Sequence, residues 1–160
     1  MASPTERTYH STPAVYALPN DSLEHRRLEE QHECLLKLMS GRIIHSPIPP
    51  TITRILDIGC GTGLVTHSLA TSYPHATAYG VDLSPVPALR TNPPNLTFIQ
   101  GDIHELLEGS NPDPRLAPGS FDLVFSRLLI FGMTDWQRYA DAIATLLAPG
   151  GYAELHEASF

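Results

Sequence analysis

The sequence predicts an α/β fold in which helices cover both faces of a parallel sheet. Two observations support this prediction. Apolar, β-branched runs alternate with helix-like segments along most of the 160 residues, and such runs are typical of strands that are buried on both faces. The first run ends in a glycine-rich turn that leads directly into a helix, which is a ligand-binding arrangement at the carboxyl end of a strand. A chain of this length supports one domain.

The individual elements are predicted from local patterns. Asp21 and Glu24 form a capping-box pattern ahead of apolar residues at helical spacing, which predicts a helix over 21–40. Residues 1–20 are polar and rich in turn formers, so we expect a flexible arm followed by one domain over 21–160. Strands are predicted at 54–58, 76–81, 96–100, 121–126 and 152–157, helices at 63–72, 85–90, 103–108 and 135–147, and a surface loop at 109–120.

The composition restricts the partners of this domain. A net charge of −7 argues against binding along nucleic-acid phosphates and favours a small-molecule partner. No run approaches the roughly 20 apolar residues of a membrane span, so no membrane partner is expected. Cys34 and Cys60 lack the spacing of a disulfide framework, which favours a reducing compartment, the cytoplasm or the nucleus. The eight histidines form no H-x-x-x-H pair or Cys/His cluster, so no metal site is predicted.

The glycine-rich turn is the first candidate binding site. The segment ILDIGCGTG places Gly59, Gly61 and Gly63 after Asp57. Glycines let the backbone turn sharply and approach a ligand, and the N–H groups of the following helix favour an electron-rich group. A dinucleotide fingerprint reads G-x-G-x-x-G, whereas this turn reads G-x-G-x-G. A carboxylate repels a pyrophosphate and attracts an ammonium group, so Asp57 favours a ligand with an amino-acid part over a nicotinamide cofactor.

Two further carboxylates follow the next two strands. Asp82 lies roughly 20 residues beyond the turn, where a carboxylate can accept both hydroxyls of a ribose. Asp102 follows the third strand and can accept the exocyclic amine of an adenine that packs against Leu83 and Ile103. The alternatives are structural, namely a capped turn at Asp82 and a helix N-cap at Asp102.

Several segments in order resemble one enzyme family. The segments ILDIGCGTG, YGVDLSP, QGDI and LLAPGGYAELHE are similar to the successive motifs of class I S-adenosylmethionine-dependent methyltransferases. The resemblance is closer still to the fungal LaeA-like group of secondary-metabolism methyltransferases. It is carried there by PPNLTF, by FDLVFSRLLIFGMTDW, and by Tyr16, Leu18, Pro19, Asp21, Glu24, Arg27, Leu28, Gln31 and His32.

The resemblance implies both a fold and a ligand. It implies a Rossmann-like, doubly wound sheet of strand order 3-2-1-4-5, preceded by a helix, with S-adenosylmethionine as the cofactor. It places Gly59 and Gly61 beside the methionine part, Asp82 at the ribose, and Asp102 with Ile103 at the adenine. In related enzymes the pair Gln31-His32 helps to close the pocket. A surface position for His32 is the alternative.

The segment after the fourth strand is where a methyl acceptor is expected. Transfer from a sulfonium depends mainly on alignment of the reacting atoms, so no dedicated catalytic residue is required. Ser126, Arg127, Phe131 and Trp136 occupy this segment. Arg127 is the candidate catalytic residue, because its planar fork can hold an acceptor carboxylate. The alternative for Arg127 is a structural ion pair.

The number of strands leaves the function open. The related fold has seven strands, and the final two are expected to be missing here because the sequence stops after the fifth. The fifth strand would then form an open edge, which predicts a homodimer or a partner chain that covers it. The first hypothesis is a small-molecule methyltransferase. The second is a protein on the same scaffold that does not methylate, either a cyclase or a partner subunit.

Overall fold

The computed structural model describes residues 8–9, 16 and 18–158. Five parallel strands form one sheet in the order β3-β2-β1-β4-β5. The strands are β1 (Arg54–Ile58), β2 (Thr77–Asp82), β3 (Leu96–Gln100), β4 (Phe121–Arg127) and β5 (Leu147–His156). The helices are α1 (Ser22–Leu38), α2 (Leu64–Ser72), α3 (Ile103–Glu108) and α4 (Trp136–Leu146), with 3-10 turns at Pro114–Leu116 and Leu129–Phe131. The predicted fold class and strand order are confirmed.

Two hydrophobic clusters, one on each face, hold the sheet between its helices. In β1, Leu56 and Ile58 pack with residues of α3 and α4, whereas Ile55 packs with Leu69 of α2 on the opposite face. This alternation follows from the period of two along a strand. The strand order reverses between β1 and β4, because the connections from these two strands lead to opposite sides of the sheet. A crevice therefore opens at their carboxyl ends, where ligands bind in doubly wound folds.

The predicted helix at 85–90 is wrong, because this segment contains no regular structure. Pro85 and Pro87 lack an N–H group, and a residue before proline is disfavoured in the helical region, which removes Val86 from a helix. The segment instead packs along the glycine-rich turn. Its last residue, Arg90, donates hydrogen bonds to α1 and to the turn.

The predicted surface loop and the last predicted strand also differ from the structure. The predicted loop at 109–120 contains the turn Pro114–Leu116, whose Leu116 is buried in the core. The strand predicted at 152–157 begins earlier, because Leu147 already pairs with Phe121. The register then shifts before Tyr152 pairs with Leu123, at a bulge that contains Gly150 with φ +81°.

The start of α1 agrees with the capping pattern. Asp21 is the N-cap, and its Oδ1 accepts hydrogen bonds from the N–H groups of Leu23 and Glu24 at 3.1 and 3.0 Å. The carboxylate of Glu24 accepts from Arg27 Nη2 at 2.6 Å. Most of the predicted arm lies outside the described residues, and the boundary at Asp21 stays a prediction.

Candidate functional site

The glycine-rich turn joins β1 to α2 at the carboxyl edge of the sheet. Gly59 and Gly61 have φ of +70° and +55°, a region that residues with a Cβ rarely adopt. A Cβ on Gly59 would also lie 2.3 Å from Leu129 Cδ2. Glycine at these positions therefore lets the backbone of the turn follow this path without strain and leaves it open to a ligand.

Packing explains why position 63 is a glycine. It is the N-cap of α2 with φ +73°, and a Cβ there would lie 2.4 Å from Phe98 Cζ of β3. The structure places Gly63 outside the lining of the cavity described below, unlike the other predicted glycines.

Asp82 fixes the shape of the turn from the end of β2. Its Oδ2 accepts the N–H of Gly61 at 2.8 Å, and its Oδ1 accepts the N–H of Ser84 at 3.0 Å. The capping role, which was the alternative at this position, is therefore present. Each carboxylate oxygen can accept more than one hydrogen bond, so the same side chain can cap the turn and meet the hydroxyls of a ribose.

Asp57 is a carboxylate buried beneath the turn. It is only 2% exposed, and its Oδ2 accepts a hydrogen bond from Thr66 Oγ1 of α2 at 2.6 Å. Burial raises the pKa of Asp57 to about 7, although the bond from Thr66 opposes this shift. A cationic ligand group beside Asp57 would favour its ionised form, so this carboxylate is suited to bind an ammonium group.

Asp102 follows β3 and begins α3. Its Oδ1 accepts the N–H of His104 at 2.8 Å, which is the N-cap geometry. Ile103 is buried beside it and belongs to the core cluster of that face. Both line the cavity, together with Leu83 after β2. The structure thus brings the three residues predicted for the adenine to one end of the site.

Arg127 ends β4 and contacts α1. Its Nη1 donates to His32 Nδ1 at 3.3 Å, and its guanidinium lies over the Phe125 ring at 5.4 Å. Burial and the charge of Arg127 lower the pKa of His32, which favours the neutral ring that can accept this hydrogen bond. His32 therefore belongs to the site, as the resemblance implied.

These residues surround one cavity of about 680 Å³, within the range of roughly 300–1,000 Å³ that is usual for ligand sites. Its lining includes every predicted site residue except Gly63, namely Asp57, Gly59, Gly61, Asp82, Leu83, Asp102, Ile103 and Arg127. Phe131 of the expected acceptor segment also lines it, whereas Ser126 and Trp136 do not. The carboxyl ends of β1, β2, β3 and β4 thus contribute to a single site.

Gln31-His32 and the segment after β4 are expected near the ligand, but the sequence predicts no role for the apolar residues of two walls of this cavity. One comes from α1 and the residues before it, and includes Tyr16, Leu18, Leu28 and Leu35. The other is the loop after β4, which includes Leu128, Leu129 and Met133. Apolar side chains give no local signal that separates a cavity wall from a core. Leu128 has φ +56°, a strained conformation that is concentrated at functional sites and has no sequence signature.

An ionic contact holds α1 against the glycine-rich turn. Arg90 donates from Nη2 to Glu29 Oε2 at 2.6 Å and from Nη1 to the carbonyl of Thr62 at 2.7 Å. The Thr62 hydroxyl also donates to Glu29. Glu29, Thr62 and Arg90 thus link α1, the turn and the segment after β2, which keeps α1 over the site.

The carboxylates of the site match S-adenosylmethionine in chemistry and in order along the sheet edge. Asp57 is a buried carboxylate that can pair with an ammonium group, and Asp82 and Asp102 follow at the carboxyl ends of β2 and β3. The lining between them is mostly apolar, as an adenine ring requires. The residues present therefore fit this cofactor.

Comparison with known proteins identifies the family. Residues 55–151 match the family described as "Methyltransferase domain". The chain belongs to this methyltransferase family. The match covers the sheet from β1 into β5 and includes the glycine-rich turn and all three carboxylates.

Relatives and solved structures agree with this assignment. The chain is 35% identical to "Secondary metabolism regulator laeA" of Coprinopsis cinerea, with 92% of the chain and 36% of that protein covered. It is 34% identical to "Methyltransferase grgD" of Penicillium sp, with 90% and 52% covered. The chain thus spans about a third to a half of these relatives. An S-adenosylmethionine dependent methyltransferase from Mesorhizobium loti superposes with a TM-score of 0.51 at 25% identity, covering 75% of this chain and 49% of that one. The predicted cofactor, S-adenosylmethionine, is confirmed for the family.

Among the described residues, no three His, Cys, Asp or Glu side chains are grouped as a metal site would require. No helix within 18–158 is long and apolar enough to cross a membrane.

Proposed function

We propose that this chain binds S-adenosylmethionine and transfers its methyl group to a small molecule of secondary metabolism. The observation that carries the proposal is the single cavity that joins Asp57, Asp82 and Asp102 at the ends of three neighbouring strands. When bound, the cofactor would supply an electrophilic methyl group. Asp57 would hold its ammonium group, Asp82 its ribose, and Asp102 with Leu83 and Ile103 its adenine. The named relatives support a role in secondary metabolism.

Calorimetry and product analysis test this proposal. S-adenosylmethionine is expected to bind with a one-to-one stoichiometry, whereas NAD is expected not to bind. Mass spectrometry of reactions with a panel of phenols and carboxylic acids is then expected to show a product 14 mass units heavier than its acceptor. Failure to bind the cofactor would reject the proposal. Binding without any methylated product would favour the second hypothesis, a cyclase or a partner subunit.

Replacing Asp82 with alanine is expected to weaken cofactor binding about 10- to 100-fold, because hydrogen bonds to a charged group contribute roughly 1.5–3 kcal/mol. Calorimetry measures the affinity. Some loss of stability is also expected, because Asp82 caps the N–H groups of Gly61 and Ser84.

Asp122→Ala is the matched control for that loss. In the wild type, Asp122 Oδ2 accepts hydrogen bonds from the N–H groups of Thr53 and Arg54 at 2.6 and 3.0 Å. These residues lie at the amino ends of the strands, at the opposite edge of the sheet from the site. This variant is expected to lower the melting temperature and to keep the affinity of the wild type. Equal affinity in the two variants would show that Asp82 has no part in binding.

We also propose that a second copy of this chain or a partner chain covers the exposed edge of β5. Within the described sheet, β5 pairs only with β4, and its Leu155 is 41% exposed. Light scattering after size-exclusion chromatography is expected to give a mass above the 17.5 kDa of one chain. Leu155→Glu places a charge on the edge and is expected to restore the monomer mass. A monomeric wild type would contradict self-association through β5.

A further inference from the structure

A second cavity adjoins the first. It has a volume of about 610 Å³, and its walls come from the end of β5, from the segment after α1 and from the end of β4. Leu35, Arg127 and Leu128 line both cavities. A ligand in the second cavity would therefore lie beside a cofactor in the first, with Arg127 between them.

Arg127 presents an unoccupied binding edge. Its Nε and Nη2 are buried without a hydrogen-bond partner, and no carboxylate of the described residues forms an ion pair with it. These two nitrogens form one edge of the guanidinium, whose parallel N–H groups match the two oxygens of a carboxylate. Each buried donor without a partner costs roughly 1–3 kcal/mol, so a ligand that accepts from both has a large advantage.

The nearby carboxylates form hydrogen bonds with other donors, and none of those described pairs with Arg127, although the charges of Asp57 and Glu154 favour its ionised form. Glu154 accepts from the N–H groups of His45 and Ser46 at 2.8 and 2.9 Å. Burial raises the pKa of Glu154, but the hydrogen bonds outweigh burial, so the pKa is lowered. Glu157 accepts from the N–H groups that begin the loop after β4. Asp57 accepts from Thr66. The side chains of the site therefore leave the binding edge of Arg127 for an external anion.

His156 adds an acceptor on the same wall. It is the register partner of Arg127 across β4 and β5, and its Nε2 contacts Glu154 Oε1 at 2.8 Å. Because an ionised carboxylate can only accept, Nε2 carries a proton, and in the neutral form of the ring Nδ1 is an acceptor. His156 Nδ1 is buried without a partner. Two residues that line the second cavity, Arg127 and His156, therefore carry three buried nitrogens without a hydrogen-bond partner.

We propose that the second cavity receives the methyl acceptor, and that this acceptor is an organic acid with a hydroxyl group. Its carboxylate binds Nε and Nη2 of Arg127, and its hydroxyl donates to His156 Nδ1. Arg127 positions the acceptor at the boundary with the cofactor cavity. This inference rests on the proposed methyl transfer and adds the class of substrate.

The experiment compares two probes by ligand-observed NMR. 3-Hydroxybenzoate carries the carboxylate and the hydroxyl, and 3-hydroxybenzamide replaces the carboxylate with a neutral amide. The wild type is expected to bind the acid at least about tenfold more tightly, and Arg127→Gln is expected to remove this preference, because bonds to charged groups contribute roughly 1.5–3 kcal/mol. The control Arg26→Gln, at an exposed position of α1, is expected to keep it.

A second pair of ligands identifies the source of the carboxylate. S-adenosylhomocysteine also carries one, and its decarboxylated analogue does not. Because Arg127 also lines the cofactor cavity, the informative quantity is the ratio of the two affinities, which Arg127→Gln is expected to leave as in the wild type. If Arg127→Gln loses affinity for S-adenosylhomocysteine alone, Arg127 binds the carboxylate of the cofactor, and the proposal is overturned. Equal binding of 3-hydroxybenzoate and 3-hydroxybenzamide by the wild type would also overturn it. If the acid preference holds while S-adenosylhomocysteine does not bind, the acid site stands and the proposed methyl transfer fails.

Discussion

Replacing Gly59 with alanine is expected to reduce the affinity for S-adenosylmethionine by at least about 100-fold. The residue has φ +70°, where a Cβ costs roughly 1–2 kcal/mol. That Cβ would also lie 2.3 Å from Leu129 Cδ2, so the turn or the Leu129 side chain must move. Both line the cofactor cavity, and either movement changes the surface that meets the cofactor. Calorimetry measures the affinity, and thermal unfolding measures the stability of the same variant.

Gly119→Ala separates the local effect from a general loss of stability. Gly119 has a similar φ of +66°, but a Cβ there would have no atom within 4 Å, and the residue lies outside the cavity. This variant is expected to lose stability and to bind the cofactor as the wild type does. If Gly59→Ala keeps its affinity, or if both variants lose affinity equally, the close approach of the turn to the ligand is refuted.

The features that the sequence predicts best are those with a local physical cause. β1 reads as a strand because it is apolar on both faces, and the turn after it reads as a binding turn because several glycines follow within five residues. Asp82 and Asp102 could be assigned to the same edge, since parallel strands place their carboxyl ends together. The sheet order then followed from the resemblance, and the structure confirms it.

The features that escape prediction depend on contacts between distant residues. Gly63 has the spacing of a ligand-binding glycine, yet the ring of Phe98 on β3 explains it. The orphaned edge of Arg127 arises because Glu154 is occupied by the segment after α1, more than 100 positions away in the chain. Such pairings appear only once the sheet has brought β4, β5 and that segment together.

Asp57 is expected to make both stability and cofactor affinity depend on pH. Burial raises its pKa from 3.8 to about 7 in the folded protein, so folding favours the protonated form. As pH rises from about 4 to about 7, the wild type should lose stability relative to Asp57→Asn, which cannot ionise. At 1.36 kcal/mol for each unit of pKa, the relative loss is at most about 4 kcal/mol. Denaturant unfolding of both proteins at pH 4 and pH 7.5 measures it.

The affinity is expected to change in the opposite direction. An ammonium group binds the ionised carboxylate, so the affinity of the wild type for S-adenosylmethionine should rise up to about tenfold per pH unit as pH approaches 7. In Asp57→Asn the affinity should be lower and almost independent of pH between 5.5 and 7, because the amide keeps a contact to Thr66 and supplies no charge. Parallel pH profiles in the two proteins would show that the ionisation of Asp57 is not coupled to binding of the ammonium group in this range. Asp122→Asn, which alters a carboxylate at the opposite edge of the sheet, should retain the wild-type profile of affinity, since no cofactor group reaches it.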